Sequence, residues 1–176
     1  MVDMSELWDL YDENRIPLNK QIVRGETPEA GEYRVAVHVC VFSHEGKMLI
    51  QRRQPFKEGW SGMWDVTAGG SAVAGETPKE AAERELFEEL GLKLSLPRQH
   101  LTINFEGGFD DVFLITHDAE IGALVLQETE VAEARFASEE EIITLLHEKK
   151  FIPYHEYFIR LLFAIRKRYG THEVSV

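Results

Sequence analysis

The chain has 176 residues, of which 44% are hydrophobic and 28% are charged. This length and balance are typical of one globular domain, so we treat residues 1–176 as a single domain and exclude wholesale disorder, a collagen-like repeat and a small disulfide scaffold. Nineteen Lys and Arg residues against 31 Asp and Glu residues give a net charge of −12, which disfavours extended nucleic acid as a partner because an acidic protein repels polyanions.

No apolar run approaches the roughly 18 residues that a membrane span needs. Residues 1–11 include several acidic side chains and lack the basic and apolar regions of a secretory signal. The single cysteine, Cys40, cannot form an internal disulfide, and it lies in a β-branched run where burial is expected. We therefore expect a cytoplasmic protein that does not act at membranes.

Alternating hydrophobicity and turn residues predict an N-terminal hairpin extension, a loop and then three strands. In chain order these are the hairpin strands 7–11 and 20–23, the loop 26–32, and the strands 33–42, 48–52 and 63–67. Gly69 and Gly70 follow and are expected to break the third strand.

Residues 77–90 carry the strongest helix signals in the chain. Thr77 can cap the N-terminus, Pro78 suits the first helical position, and Glu80 completes a capping box. Gly91 predicts the C-terminal stop. Apolar residues recur at i, i+4 and i+8 and predict the buried stripe, at Ala82, Leu86 and Leu90.

The remaining residues are predicted to form more strands and two C-terminal helices. These are the strands 101–105, 112–116 and 131–136 and the helices 138–148 and 153–168. Because strands and helices alternate without a strict βαβ rhythm, we expect an α/β fold whose sheet is mixed, as in α+β proteins, and lies between helices. The aromatic side chains of the last segment are expected to fill the core or to mark the interface of a homodimer; they are Phe151, Tyr154, Tyr157, Phe158 and Phe163.

Three carboxylates share one face of the helix at 77–90. Glu85, Glu88 and Glu89 stand at i, i+3 and i+4, where like charges repel each other. They also lie in the C-terminal half of the helix, where the macrodipole disfavours anions. A divalent cation would relieve both penalties, and Mg²⁺ prefers carboxylate and carbonyl oxygens beside substrate phosphates. The helix face therefore predicts a metal site with a small phosphorylated substrate.

Neighbouring residues fit the same interpretation. Gly70 lets the backbone approach an ion closely, so its carbonyl is a candidate metal ligand. Arg84 could pair with Glu76 and hold the preceding loop against the helix, or it could orient Glu85.

Two further pairs are candidates for substrate contact. Arg52 and Arg53 follow a predicted strand and could reach phosphate oxygens, although charges at a strand end are often only solvated. Trp60 and Trp64 could stack on a base, although tryptophan more often belongs to the core.

The stretch from Gly70 to Leu92 has a specific spacing. Gly70 is followed by five residues and Glu76, then by seven residues and Arg-Glu-Leu-Phe-Glu-Glu-Leu-Gly-Leu at 84–92. This pattern resembles the Nudix box at every defining position. The resemblance implies a Nudix-type α/β/α sandwich and an enzyme that hydrolyses a diphosphate linkage in a nucleoside diphosphate derivative or a similar organic pyrophosphate, with Mg²⁺ or Mn²⁺.

By this resemblance, Glu85, Glu88, Glu89 and the Gly70 carbonyl would hold the metal, and Arg84 would support the catalytic glutamates. The carboxylate that activates water stays open. It is one of the three glutamates or an acid from a later loop, for which the candidates are Asp110, Asp111, Glu128, Glu130 and Glu133.

Segments 8–14, 51–53, 59–65 and 67–70 also resemble the isopentenyl-diphosphate-isomerase-like branch of Nudix proteins. Isomerases of that branch place a catalytic cysteine near the position of Gly69, and metal-binding histidines near the positions of Arg34 and Ser71. This chain has neither group there, and it keeps a Glu-Glu pair that isomerases lack. Hydrolysis is therefore favoured, with an isomerase and a non-catalytic nucleotide-sensing module as alternatives. The substrate would be selected by loops outside the box, at 26–32, 54–62 and 107–111.

Overall fold

A computed structural model describes residues 6–172 of the chain. Within this range it has nine strands, three α-helices and one 3₁₀ turn. The strands are β1 (Leu7–Tyr11), β2 (Pro17–Val23), β3 (Arg34–Phe42), β4 (Met48–Arg53), β5 (Trp64–Asp65), β6 (Ala68–Ser71), β7 (Leu101–Phe105), β8 (Gly108–Thr116) and β9 (Val131–Ala137). The helices are α1 (Pro78–Leu90), α2 (Glu139–His147) and α3 (Glu156–Ile165), and the 3₁₀ turn is Ile121–Ala123.

Strands β3 to β9 form one seven-stranded sheet with the path β5-β4-β3-β8-β7. Strand β6 pairs with β3, and β9 pairs with β4. The pair β3–β8 is parallel, whereas the other pairs in this sheet are antiparallel. The expected mixed sheet is therefore confirmed.

Alternate residues of β3 face two separate cores, as the two-residue period of a strand requires. Val35, Val37, Val39 and Val41 lie in a core with the buried stripe of α1. Cys40 and its neighbours on the other face lie in a core with α2 and α3. The sheet is thus covered by helices on both sides, and the expected α/β/α sandwich is confirmed.

The helix signals identified in the sequence are present. Thr77 and Glu80 form the reciprocal capping box of α1, and Gly91 ends it in the left-handed conformation. Ser138 and Glu141 form a second capping box at the start of α2. Local backbone chemistry therefore defines the start of both helices and the end of α1.

The hairpin β1–β2 is a separate two-stranded sheet that is tied to the main domain by several hydrogen bonds and an ion pair. Tyr11 and Tyr33 exchange backbone hydrogen bonds of 2.8 and 2.9 Å. The Arg15 guanidinium forms a bidentate ion pair with Asp111, one bond of which is 2.9 Å long. Asp111 is fully buried and also accepts a hydrogen bond from Thr102 at 2.6 Å. These contacts hold the hairpin against the sheet beside α1.

Gly69 and Gly70 were expected to break the strand predicted at 63–67; that strand ends at Asp65, and the two glycines belong to a strand of their own rather than to a break. Both lie in β6, opposite His38 and Val37 of β3. A strand accommodates glycine where another group approaches closely. A Cβ on Gly69 would lie 2.8 Å from the His38 ring, and a Cβ on Gly70 would collide with the Glu85 carboxylate.

Two other boundaries differ from the sequence-based expectation. Residues 107–111 were expected to be a loop, but only Glu106 and Gly107 form the turn, and β8 begins at Gly108. The last helix begins at Glu156 rather than at residue 153, because residues 150 and 152 still make backbone hydrogen bonds to Trp64. It also ends at Ile165, short of residue 168.

The C-terminal aromatic residues divide between core and surface. Phe151 and Phe163 are buried, whereas Tyr157 is exposed. Within residues 6–172, none of the helices has the length and apolar character needed to cross a membrane. The prediction that residues 1–11 carry no secretory signal falls in part on residues 1–5, which lie outside the described range.

Replacing Arg15 with methionine is expected to destabilise the domain, because the buried Asp111 carboxylate would lose its charge partner. Arg15 is partly exposed, so we expect a loss of about 2–4 kcal/mol, less than the roughly 3–5 kcal/mol for breaking a fully buried pair. Urea unfolding would measure it. The matched control Arg24→Met removes an exposed pair with Glu6 and should cost less than about 1 kcal/mol. Equal losses in the two variants would contradict the anchoring role.

Candidate active site

The three glutamates of α1 line one cavity of about 200 Å³ together with β6 and the loop before β9. Their exposure differs along the helix. Glu89 is 7% exposed, the Glu85 side chain is 14% exposed and the Glu88 side chain is 46% exposed. The predicted grouping of these residues is therefore present, with one carboxylate at the cavity mouth and two inside it.

Arg84 connects several of the groups around this cavity by hydrogen bonds. Its Nε and Nη2 donate to the two oxygens of Glu76 at 2.7 and 3.0 Å, and Nη2 also donates to the Ser71 carbonyl at 3.2 Å. Its Nη1 donates to Glu85 at 2.9 Å and to Glu88 at 3.1 Å. The hydrogen bond to Glu76 is the main cause of the raised pKa of Arg84. Arg84 thus makes both contacts considered from the sequence, to Glu76 and to Glu85.

Glu89 is held by a residue that the sequence analysis missed. Gln51 Nε2 donates to the Glu89 carboxylate at 2.5 Å and to the Thr67 carbonyl at 3.1 Å. Burial raises the pKa of Glu89 to about 8, the charge of Glu85 adds to this rise, and the Gln51 hydrogen bond opposes it. The available signal was one polar residue directly after the apolar run 48–50, since a buried polar side chain needs a partner.

Gly70 brings the backbone of β6 against the glutamate side of α1. Because a Cβ there would collide with the Glu85 carboxylate, only glycine permits this approach. Gly70 and Glu85 consequently line the same cavity.

The cavity suits a hard divalent cation in donor chemistry and in charge. The candidate ligands are all oxygen donors, which Mg²⁺ and Mn²⁺ prefer. In the conformation described, however, no group of three or more His, Cys, Asp or Glu side chains within residues 6–172 is placed to hold a metal ion. Glu85 and Glu88 are turned towards Arg84, and Glu89 is turned towards Gln51. Binding a cation therefore requires these carboxylates to exchange part of their present contacts.

Only one of the five later acids lines this cavity. It is Glu130, whose carboxylate accepts a hydrogen bond from Lys57 at 2.6 Å. Asp111 pairs with Arg15, Asp110 pairs with His38, and Glu133 lies 3.5 Å from Arg52. Of Glu128, the backbone carbonyl accepts a hydrogen bond from Gln54. Glu6 of the N-terminal segment also lines the cavity, and no sequence signal pointed to it.

The two predicted arginines differ in position. Arg53 lines the glutamate cavity and also a second, larger cavity, whereas Arg52 lies near Glu133 outside both. The two tryptophans differ as well. Trp64 is buried in the core, and Trp60 is 52% exposed and lines the larger cavity.

The larger cavity, of about 500 Å³, lies on the other side of β6. A hydrogen-bonded chain lines part of it. His38 Nδ1 lies 2.8 Å from Asp110, and its Nε2 lies 3.2 Å from the Tyr154 hydroxyl, which donates to Asp65 at 2.9 Å. Burial lowers the pKa of His38, but the hydrogen bond to Asp110 and the charges of Asp110, Asp65 and Glu89 together outweigh it, so the pKa is raised. Both ring nitrogens of His38 therefore have hydrogen-bond partners.

Comparison with known proteins agrees with this architecture. The NUDIX domain family matches residues 32–162. The chain belongs to the Nudix family. An uncharacterized Nudix hydrolase of Listeria monocytogenes is 45% identical over 169 residues, covering 95% of this chain and 99% of that protein. Another, from Pseudomonas aeruginosa, is 34% identical and covers 85% of this chain and 87% of its own length.

A solved structure shows the same fold. The crystal structure of DR0079 from Deinococcus radiodurans superposes with a TM-score of 0.73 at 22% identity, covering 88% of this chain and 98% of that chain. The Nudix box identified in the sequence thus lies in a Nudix fold, and the chain is a Nudix hydrolase.

Substituting Gly70 with alanine is expected to displace the Glu85 carboxylate and to weaken Mn²⁺ binding by about 10-fold, the order seen when groups that orient metal ligands are altered. Electron paramagnetic resonance titration of free Mn²⁺ would measure it. Gly122→Ala is the matched control, because a Cβ there meets nothing within 4 Å. Unchanged Mn²⁺ affinity in Gly70→Ala, in a protein that remains folded, would remove Gly70 from the site.

Proposed function

We propose that this Nudix hydrolase cleaves a diphosphate linkage in a nucleoside diphosphate derivative or a similar organic pyrophosphate, with Mg²⁺ or Mn²⁺. The observation that carries the proposal is the shared cavity of Gly70, Glu85, Glu88 and Glu89, flanked by Arg53. An acidic wall opposite a guanidinium suits a diphosphate only if a cation offsets the carboxylate charge. The bound cation would neutralise the diphosphate and lower the pKa of a coordinated water.

The side chains of this cavity would divide the work of binding. Glu85, Glu88, Glu89 and the Gly70 carbonyl would hold the cation. Arg53 would bind a diphosphate oxygen, since its guanidinium lines the wall and its Nε is buried with no hydrogen-bond partner within residues 6–172.

Arg84 and Gln51 would act as positioning residues. Arg84 holds Glu85 and Glu88 by one nitrogen and fixes its other end on Glu76. Gln51 holds Glu89 from the sheet side. Both side chains reduce the freedom of the carboxylates before substrate arrives, which lowers the cost of organising the site.

Two carboxylates are candidates to accept a proton from the attacking water. Glu89 lies inside the cavity, where a proton acceptor is shielded from solvent. Glu130 reaches the same cavity from the loop before β9 and stays paired with Lys57 at 2.6 Å.

Isomerisation of isopentenyl diphosphate is not included in the proposal. The cysteine position of that reaction is Gly69, and Cys40 is fully buried in the core with a pKa raised by burial. No thiol within residues 6–172 therefore reaches either cavity.

A panel of nucleoside triphosphates, nucleotide sugars, dinucleotides and coenzymes would test the proposal. Phosphate release is measured after coupling to a phosphatase, with Mg²⁺, with Mn²⁺ and with EDTA. Metal-dependent cleavage of one compound well above the rest is the expected result. A folded protein that binds Mn²⁺ and nucleotide but cleaves nothing would favour the sensing module instead.

Glu89→Gln is expected to lower kcat by roughly 10²-fold or more. The substitution keeps the shape of the side chain but removes the negative charge that would hold the cation beside the reacting diphosphate. The matched control is Glu83→Gln on the same helix, which lies outside the glutamate cavity and pairs with Lys79; it should keep kcat near wild type. Steady-state kinetics on the substrate found in the panel would measure both. Near-wild-type turnover by Glu89→Gln would exclude Glu89 from the mechanism.

A further inference from the structure

The two cavities share a wall and differ in charge. Arg53, Gly69, Gly70 and Ser71 line both of them. The smaller cavity carries five carboxylates, those of Glu6, Glu85, Glu88, Glu89 and Glu130, together with Arg24, Lys57 and Arg84. The larger one carries Arg34 and a single carboxylate, that of Asp65, and Arg53 is shared by the two cavities. A substrate whose diphosphate lies against the glutamates would extend across β6 into the larger cavity. The chemistry of that cavity therefore selects the rest of the substrate.

Arg34 is held rigidly at the edge of the larger cavity. Its guanidinium lies between two aromatic rings, 4.8 Å from the Trp8 ring centre and 5.2 Å from that of Phe105. Its Nη1 donates to the Ser71 hydroxyl at 2.7 Å. Stacked faces and one fixed hydrogen bond leave few rotamers open to the side chain, so the remaining N–H groups are oriented in advance.

Most arginines of this acidic chain are paired with carboxylates. Those in ion pairs are Arg15, Arg24, Arg52, Arg84, Arg135 and Arg160. Within residues 6–172, Arg34 takes part in no ion pair and has the Ser71 bond as its one side-chain hydrogen bond. A half-buried guanidinium costs solvation energy, and leaving it unpaired in a chain of net charge −12 points to a partner outside the chain.

The acids nearest to this cavity already have partners. Asp65 accepts from the Tyr154 hydroxyl at 2.9 Å, and Asp110 is bound to His38 at 2.8 Å. The charge of Asp110 still acts on Arg34, and the charge of Arg53 acts on Asp65, but within residues 6–172 neither arginine forms an ion pair.

We propose that Arg34, with Ser71 beside it and Arg53 in the same cavity, binds a phosphate monoester that the substrate carries in addition to the diphosphate to be cleaved. The planar donors of two arginines match a dianionic phosphate in charge and in shape, whereas a carboxylate supplies only one charge. This inference rests on the proposed function, because it places the second phosphate relative to the glutamate cavity. It narrows the substrate to phosphorylated nucleoside diphosphate derivatives or similarly phosphorylated pyrophosphates.

Inorganic phosphate in EDTA at pH 8 is the direct probe, because without a cation the glutamate cavity repels anions. Isothermal titration calorimetry at low salt should give one site on the wild-type protein. Arg34→Gln should weaken it by at least about 10-fold, as expected for losing charge-assisted hydrogen bonds. Arg34→Lys keeps the positive charge but lacks the planar guanidinium, so its phosphate affinity should lie between those of the wild type and Arg34→Gln.

Arg24→Gln is the matched control, because Arg24 lines the glutamate cavity but not the larger one. It should change phosphate affinity by less than about 2-fold, since its side chain is exposed and already paired with Glu6. Acetate, titrated as the carboxylate comparison, should bind more weakly than phosphate. Melting temperatures of all variants establish that they are folded.

Three results would overturn the inference. They are no phosphate binding to the wild type, equal binding to Arg34→Gln, and a loss in Arg24→Gln as large as that in Arg34→Gln. The titration needs no turnover, so it separates the two claims. Arg34-dependent phosphate binding in a protein that cleaves nothing in the substrate panel would contradict the hydrolytic function alone. Cleavage without Arg34-dependent binding would contradict the second phosphate alone.

Discussion

The guanidinium of Arg84 compensates three carboxylates at once, and the arrangement of the glutamate cavity depends on it. The side chain joins Glu76 from the loop before α1, Glu85 and Glu88 from the helix itself, and the Ser71 carbonyl from β6. Without this charge, neighbouring glutamates at helical spacing would repel each other in a place where burial already disfavours ions. One arginine therefore lets an acidic helix face pack against a strand.

A cation that binds in this cavity would have to displace hydrogen bonds that the glutamates now accept. Glu85 and Glu88 share a single nitrogen of Arg84, while Glu89 is held from the opposite side by Gln51. A cation would thus compete with a guanidinium for the first two residues and with an amide for the third. The carboxylates of Glu85 and Glu88 thus have a cationic partner within the protein, whereas Glu89 has only an uncharged one.

Strand β6 is the second element on which the site depends. Gly70 lets the strand meet Glu85 on one side, and Gly69 lets it meet the His38 ring on the other. Because both glycines lack side chains, the cavity of the glutamates and the cavity of Arg34 are separated by only one strand. A substrate of the proposed kind would therefore reach the glutamates of α1 and Arg34 across one strand.

Much of this arrangement could be predicted from local sequence signals. The capping residues Thr77 and Glu80 define the start of α1, and the spacing of Glu85, Glu88 and Glu89 defines one face of it. Such features depend on neighbours within one or two helical turns, so the sequence alone contains them. The mixed sheet and the helical layers followed from the order of strands and helices.

The parts that could not be predicted depend on contacts between distant segments. Gly69 and Gly70 read locally as strand breakers, and only the approach of His38 and Glu85 makes them strand residues. Asp111 was expected to lie in a loop, but it is a buried residue of β8. Its ion-pair partner, Arg15, lies 96 positions away along the chain. Gln51 likewise acquires its role only when α1 places Glu89 beside it.

We have proposed that the glutamate cavity beside Gly70 binds the divalent cation. Anomalous diffraction from crystals soaked in Mn²⁺ would test this proposal, because the signal locates the ion without reference to activity. We expect a manganese peak within about 2.3 Å of carboxylate oxygens of Glu85, Glu88 or Glu89 and of the Gly70 carbonyl oxygen. A peak ligated elsewhere, or no peak in this cavity at saturating Mn²⁺ while Arg84 keeps its three carboxylate partners, would contradict it.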